Sequence, residues 1–137
     1  MSAPDLIPAV RRWLGTRLGQ ICPPDLVLHW QNMPAPIPPA GAGYMSVSLQ
    51  PDGEGRDSLL GPQRLLSGQI LLTLAVPQGD GTAALDALLE VLRRDLAGQE
   101  AGWIRLAELA CGAAYARSIY HCQDASLAFI ASEETIT

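Results

Sequence analysis

Apolar and polar positions alternate along this chain with two different periods. From residue 6 to 18, Leu6, Val10, Trp13, Leu14 and Leu18 recur at steps of three and four, the spacing of one helix face. Asp5 is positioned to cap this helix, and Pro8 falls in the first turn, where its missing N–H costs little. Gly19 is the expected stop, and Pro23-Pro24 forbids continuation. The period then changes to two. Met45, Val47 and Leu49 alternate with Tyr44, Ser46, Ser48 and Gln50, which predicts a strand with one covered face. Ser67 to Val76 repeats the pattern, with Ile70, Leu72, Leu74 and Val76 inward and Gln69 and Thr73 outward. The period of 3.6 returns from Thr82 to Ala97, where Leu85, Leu88, Leu89, Leu92 and Leu96 form a stripe and Gly98 follows. Glu90 and Arg94 form a favourable i,i+4 pair on its wet side.

The remaining segments are less regular. His29-Trp30-Gln31-Asn32 leads into a run with Pro34, Pro36, Pro38 and Pro39, which forces an extended path. Pro51 to Leu66 reads as a loop of about sixteen residues, long against the ~2–5 of a tight hairpin, and it carries Leu59, Leu60, Leu65 and Leu66. Pro77-Gln78-Gly79-Asp80-Gly81 is a turn. Beyond Gly98, Trp103 to Leu109 alternates imperfectly. Tyr115 to Cys122 reads as one strand, Gln123-Asp124 as a turn, Ala125 to Ala131 as the last strand, and Glu133 to Thr137 as a frayed tail. Helix, two strands, helix, and two or three strands make an α+β domain. The expected architecture is a mostly antiparallel sheet of four to five strands, with the N-terminal helix and a second amphipathic helix packed on one face.

Composition narrows the function classes. The chain has 137 residues, which suits one domain, and a hydrophobic fraction of 48% against 17% charged residues excludes intrinsic disorder. Nine basic residues, all Arg, face fourteen acidic ones, for a net charge of −5. That balance argues against non-specific nucleic-acid binding, which needs a basic excess. No apolar stretch approaches the ~20 residues of a membrane span, and no export leader is expected. Cys22, Cys111 and Cys122 are read as reduced, partly buried thiols in a cytosolic product.

The residues give little support to catalysis. His121 and Cys122 are neighbours, but adjacent strand residues point to opposite faces and cannot share a proton. Cys22 and His29 match no metal-ligand spacing. The carboxylates are scattered, so no acid/base pair stands out. Gly79-Asp80-Gly81 precedes a helix, yet it lacks the further glycines and the Lys of phosphate-binding loops. No catalytic residue, metal ligand or cofactor is assigned. Candidate contact residues are Trp30, which is either a core plug under the Pro-rich run or an interface anchor, and Arg56, Leu59, Leu60 and Arg64 in the long loop.

The order of these signals resembles a known family. Trp30-Gln31-Asn32-Met33-Pro34, Pro39-Ala40-Gly41 and Tyr44-Met45-Ser46-Val47-Ser48-Leu49-Gln50-Pro51 come first. Then follow Arg64, Gly68-Gln69-Ile70, and Val76-Pro77-Gln78-Gly79-Asp80-Gly81 before a helix. The set is similar to the tail-terminator proteins of long-tailed bacteriophages and prophages. It covers nearly the whole chain, most closely from Trp30 to Leu96. The short, small-residue-rich segment Ala125 to Ala131 departs from the family's regular last strand.

The resemblance implies a structural virion protein. It would form a homohexameric ring on the major tail-tube protein, end tube polymerisation, and present a surface to the head-completion protein. Genome DNA would pass through the lumen without specific binding, and a monomer before docking is open. The location implied is the head-proximal end of the tail, after synthesis in the bacterial cytoplasm. Two kinds of alternative stand beside it. One is another neck or head–tail joining protein. The others are a small Cys- or metal-dependent enzyme and a host-side binding module with an exposed sheet edge.

Overall fold

The computed structural model describes residues 6–24, 26–30, 43–56, 64–80, 83–117 and 119–132, with backbone alone at 52–56, 64, 65 and 80. The elements are α1 (Leu6–Ile21), β1 (Val27–Trp30), β2 (Tyr44–Arg56), β3 (Arg64–Pro77), a 3-10 turn (Gln78–Asp80), α2 (Ala83–Asp95), β4 (Ile104–Leu106), β5 (Ala110–Arg117) and β6 (Tyr120–Ser132). They build an α+β domain around one six-stranded sheet in the order β1-β2-β3-β6-β4, with β5 also on β6. Every pairing is antiparallel except β1 with β2.

Both helices lie on one face of the sheet. Leu6, Val10, Leu14 and Leu18 of α1 and Leu85, Leu88, Leu89 and Leu92 of α2 are buried. They meet Met45, Val47, Ile70, Leu72, Leu74, Leu127 and Phe129 in a single core. The inward positions of β2 and β3 are those that the alternation predicts. Arg17 joins the helices, donating to the Asp95 carbonyl at 3.2 Å at the C-terminal end of α2, where a cation is favoured. Trp13 meets Trp103 edge-on with ring centroids 6.4 Å apart.

Several expectations are corrected. Helix α1 runs past Gly19 to Ile21. A single exposed glycine weakens a helix without ending it, and Leu18 anchors the last turn. The long loop is mostly sheet. β2 and β3 stay paired from Tyr44↔Ala75 to Arg56↔Arg64, so the connection is residues 57–63. The alternation was hidden there because Asp52 is an extra residue between the pairs Pro51↔Gly68 and Gly53↔Ser67, which shifts the period by one. Glu90 pairs with Arg93 at 3.7 Å, and Arg94 turns to Asp95 at 3.0 Å. The expected Asp5 cap, the Pro-rich run 31–42, and Glu133 to Thr137 lie outside the described residues.

The C-terminal third differs most. Tyr115 to Cys122 is not one strand, because the chain reverses between Arg117 and Tyr120. Gln123-Asp124 is not a turn but lies inside β6. β4 and β5 form one edge beside β6. The Ala107 N–H donates to the Ala128 carbonyl at 2.9 Å between them. Two extra residues interrupt that edge. One falls between the Ala107 bond and the pair Ala110↔Ser126, the other between Cys111↔Ala125 and Ala114↔Gln123. Each bulge resets the period of two, which is why the segment alternates imperfectly.

Candidate interaction surfaces

The sheet has a helix-covered face and an open one. The open face follows from register. Ser46 pairs with Thr73 and Thr73 with Asp124, while Tyr44 pairs with Ala75, Ala75 with Cys122, and Cys122 with Tyr115. Its residues are small or polar over most of the area, including Ser46, Ser48, Thr73, Ser126 and Ala128.

One end of this face is different. Tyr44, Tyr115 and Tyr120, the three tyrosines of the chain, converge there from β2, β5 and β6. Tyr44 and Tyr120 pack edge-on with centroids 5.1 Å apart. Cys122 lies in register between Ala75 and Tyr115, fully buried. Burial pushes its thiol up, with Asp124 adding to the effect and Arg117 opposing it. A thiol held protonated is a poor nucleophile. Burial likewise raises the Tyr44 and Tyr115 hydroxyls, and for Tyr115 the hydrogen bond to Asp124 adds to it. Asp124 Oδ1 accepts from Thr73 Oγ1 at 3.0 Å and from Tyr115 Oη at 3.1 Å. His121 is half-buried and points to the other face from Cys122, as the strand argument requires.

The sheet edges are unequal. Residues 98–101 shield the outer side of β4: Leu106 N–H donates to Gln99, Ala101 N–H to Ile104, and Gly98 N–H to Ala107. β5 is exposed along its whole length. β2 is paired with β1 only from Tyr44 to Val47, so residues 48–56 form a second open edge among the described residues. Both open edges carry a bulge, and β2 adds Pro51; these are devices that discourage indiscriminate strand pairing.

The sequence-derived contact residues fall in two places. Trp30 sits on β1 opposite Val47, half-buried on the core, and a Cβ added at Gly15 would lie 3.5 Å from its Cζ2. Arg56 and Arg64 are register partners at the end of the β2–β3 hairpin, and Leu59 and Leu60 lie outside the described residues. The tyrosine end was not legible in the sequence, because the reversal at residues 118–119 contains no Gly, Asn or Pro to mark it.

Chemistry-bearing groups are sparse. Among the described residues no group of three His, Cys, Asp or Glu side chains could hold a metal ion. An apolar groove of about 270 Å³ lies between α2 and the start of β2, lined by Leu26, Gly43, Val76, Ala84, Leu88 and Val91 among others. A shallower groove of about 430 Å³ runs past Thr73, Ala110, Gly112, Asp124 and Ser126. No helix among the described residues is long and apolar enough to cross a membrane.

Comparison with known proteins adds the fold and no more. No family model matches this chain, and no curated protein matches it. Several solved chains match, and one of them is similar over 96% of both chains, with a TM-score of 0.71 and 22% sequence identity. At that identity the likeness supports a shared architecture, and function must be argued from the surfaces themselves.

Proposed function

We propose that this protein is a tail terminator: a subunit that assembles as a six-membered ring on the end of a phage tail tube, stops its growth, and offers its other side to the head-completion protein. The β2–β3 hairpin is the observation that carries this reading. The motif segments Tyr44–Leu49 and Gly68–Val76 are its two strands, and the segment with Leu59 and Leu60 joins them at one end of the sheet. A closed ring needs a heterologous contact whose rotation closes. The end of the β2–β3 hairpin on one side and an open strand edge on another supply two unlike surfaces for it.

The charge distribution refines the expectation for a DNA-conducting lumen. Over the described side chains, Arg11, Arg12, Arg17, Arg93, Arg94, Arg105 and Arg117 nearly balance Asp86, Glu90, Asp95, Glu100, Glu108 and Asp124. The acidic excess therefore comes entirely from the remaining segments, including Asp52, Glu54, Asp57, Glu133 and Glu134. An acidic or neutral lumen wall lets DNA pass without counterion-releasing contacts; a ring with an Arg-lined bore overturns that part of the reading.

The test is substitution in the hairpin. L59D/L60D and R64E variants should fail to form rings by electron microscopy and should yield over-long, headless tails in a phage that carries the gene. Normal capping by these variants overturns the role of the hairpin. Tails of normal length that fail to join heads favour a joining protein instead.

A further inference from the structure

The two open edges of the sheet are matched in phase. On the open run of β2, Leu49, Pro51 and Glu54 pair with Ile70, Gly68 and Leu66, and so belong by register to the helix-covered face. On β5, Ala116, Ala114 and Cys111 pair with His121, Gln123 and Ala125. Those three lie opposite Val76, Leu74 and Leu72, on that same face. Followed in opposite chain directions, both sets step by two and then by three, because each strand carries one extra residue at the same point. The other face agrees. Ser48, Gln50 and Gly55 of β2 belong to the open face, as do Arg117, Tyr115 and Ala110 of β5, each set at steps of two and then five.

From this we infer that the exposed edge of β5 adds as a strand to residues 48–55 of β2 in a second copy of this chain, head to tail. β2 and β6 both run antiparallel to β3, and β5 runs antiparallel to β6. With the copies in one orientation, β5 and the new β2 are therefore antiparallel, like their neighbours. The register sets Arg117 opposite Ser48, Tyr115 opposite Gln50, Ala114 opposite Pro51, Cys111 opposite Glu54 and Ala110 opposite Gly55, each pair on one face. A shift by one residue puts the pairs on opposite faces, and a shift by two sets the extra residues out of step. A straight strand of another protein lacks the extra residue, so the bulges that discourage indiscriminate pairing select this partner. Arg93 Nη2 lies 3.8 Å from Cys111 Sγ, which sets a cation level with position Glu54 of the adjoining copy.

The offset of the two edges suits a closed assembly. Arg117 is level with Pro77 of its own β3, through Tyr120, and Ser48 is level with Leu71, so each copy steps along the strands by six residues. That step is ~20 Å at ~3.3 Å per residue, taken over the ~19 Å width of the four strands β2, β3, β6 and β5. It tilts the strands by ~45° from the axis of a ring, close to the 35–45° typical of closed barrels. The helices of every copy fall on one side of the continuous sheet. The other half of each edge is already covered, by β1 on β2 and by residues 98–101 on β4, which leaves this diagonal pairing. The contact gives the ring of the capping reading its seam and rests on that reading for closure alone.

Glu54→Cys in the full chain tests it, because the register sets that position opposite the native Cys111 of the next copy. Opposed strand residues have Cα atoms ~4.5–5.5 Å apart, within the reach of a disulfide. Within one copy the two positions are three strand spacings apart, at least ~14 Å, and cannot be bridged. Oxidation of E54C by diamide, which takes up the two protons and two electrons, should give dimers, trimers and longer chains on a non-reducing gel. A ladder follows because each copy carries both halves of the contact, whereas a two-fold contact stops at the dimer. The wild type and E54C/C111S should form no ladder, and neither should G53C, one residue out of phase. S48C/R117C, at the other end of the same register, should form it as E54C does, with a circular dichroism spectrum like that of the wild type. Monomers from both E54C and S48C/R117C, products that stop at the dimer, or an E54C ladder that survives C111S overturn the inference. The ladder is read on the isolated protein and capping on tail length, so each can fail without the other.

Discussion

Two glycine-to-alanine substitutions should change stability in opposite directions, and the structure gives the sign of each. Gly68 lies in β3 opposite Pro51 and beside Phe129. A Cβ built there would collide with the Gln50 carbonyl oxygen and lie 2.8 Å from Pro51 Cα, so the β2 backbone must move by several tenths of an ångström. The strand cannot yield freely, because Asp52 already bulges next to it and Gly68 is buried between two paired strands. Overpacking of this kind costs ~1–3 kcal/mol. Gly19 is the contrast: it is exposed in α1, and its Cβ would meet nothing within 4 Å. Alanine there should stabilise by ~0.5–1 kcal/mol, since glycine is the weaker helix former by about that amount. Urea denaturation of both variants at neutral pH reads the difference. In thermal scans, a chain of this length moves ~3–5 °C per kcal/mol, so G68A should melt several degrees below the wild type and G19A a few degrees above it. A G68A protein as stable as the wild type would show that β2 and β3 do not approach as described, and the register of the whole hairpin would then be in error.

Other outcomes follow from the same geometry. Leu14→Ala, at a fully buried position in α1, should cost ~2–5 kcal/mol by denaturant titration, against within ~0.5 kcal/mol for an exposed position on the same helix such as Gln20→Ala. Tyr115→Phe should cost ~0.5–1 kcal/mol, and a double-mutant cycle with Asp124→Ala should assign that loss to the hydrogen bond between them. Alkali should destabilise the protein early. Cys122 and the tyrosines Tyr44 and Tyr115 are held above their ordinary values of 9.0 and 10.0, chiefly by burial, so the unfolded chain gives up these protons first. Their contribution is complete below pH 9 and is lost as pH rises through the folded values. The urea midpoint should fall across that range, and less steeply in Cys122→Ala; a midpoint independent of pH there would refute the placement of these groups.

The sequence by itself determined the parts of this protein whose physics is local. The step of three and four in Leu6, Val10, Leu14 and Leu18, and again in Leu85, Leu88, Leu89 and Leu92, specifies two helices with one buried face each. The step of two in Met45 to Leu49 and Ile70 to Val76 specifies two strands and the face they bury. A side chain's direction in these elements depends only on its own position, so the pattern can be read without knowing the neighbours.

Tertiary structure decided what depends on pairing. The bulges at Asp52 and along the β4–β5 edge break the period and are tolerated because β3 and β6 hold the ladder on either side. β1 is four residues long and exists as a strand only because β2 lies alongside it. The reversal between Arg117 and Tyr120 carries no Gly, Asn or Pro and is set by the register with Cys122 and Gln123. The tyrosine end of the open face is the clearest case. Tyr44, Tyr115 and Tyr120 are distant or differently phased in sequence, and only the strand order β2-β3-β6-β5 sets them beside Cys122, with Arg117 and Asp124 to either side. Contacts of that kind are made by residues far apart in the chain, and no local period records them.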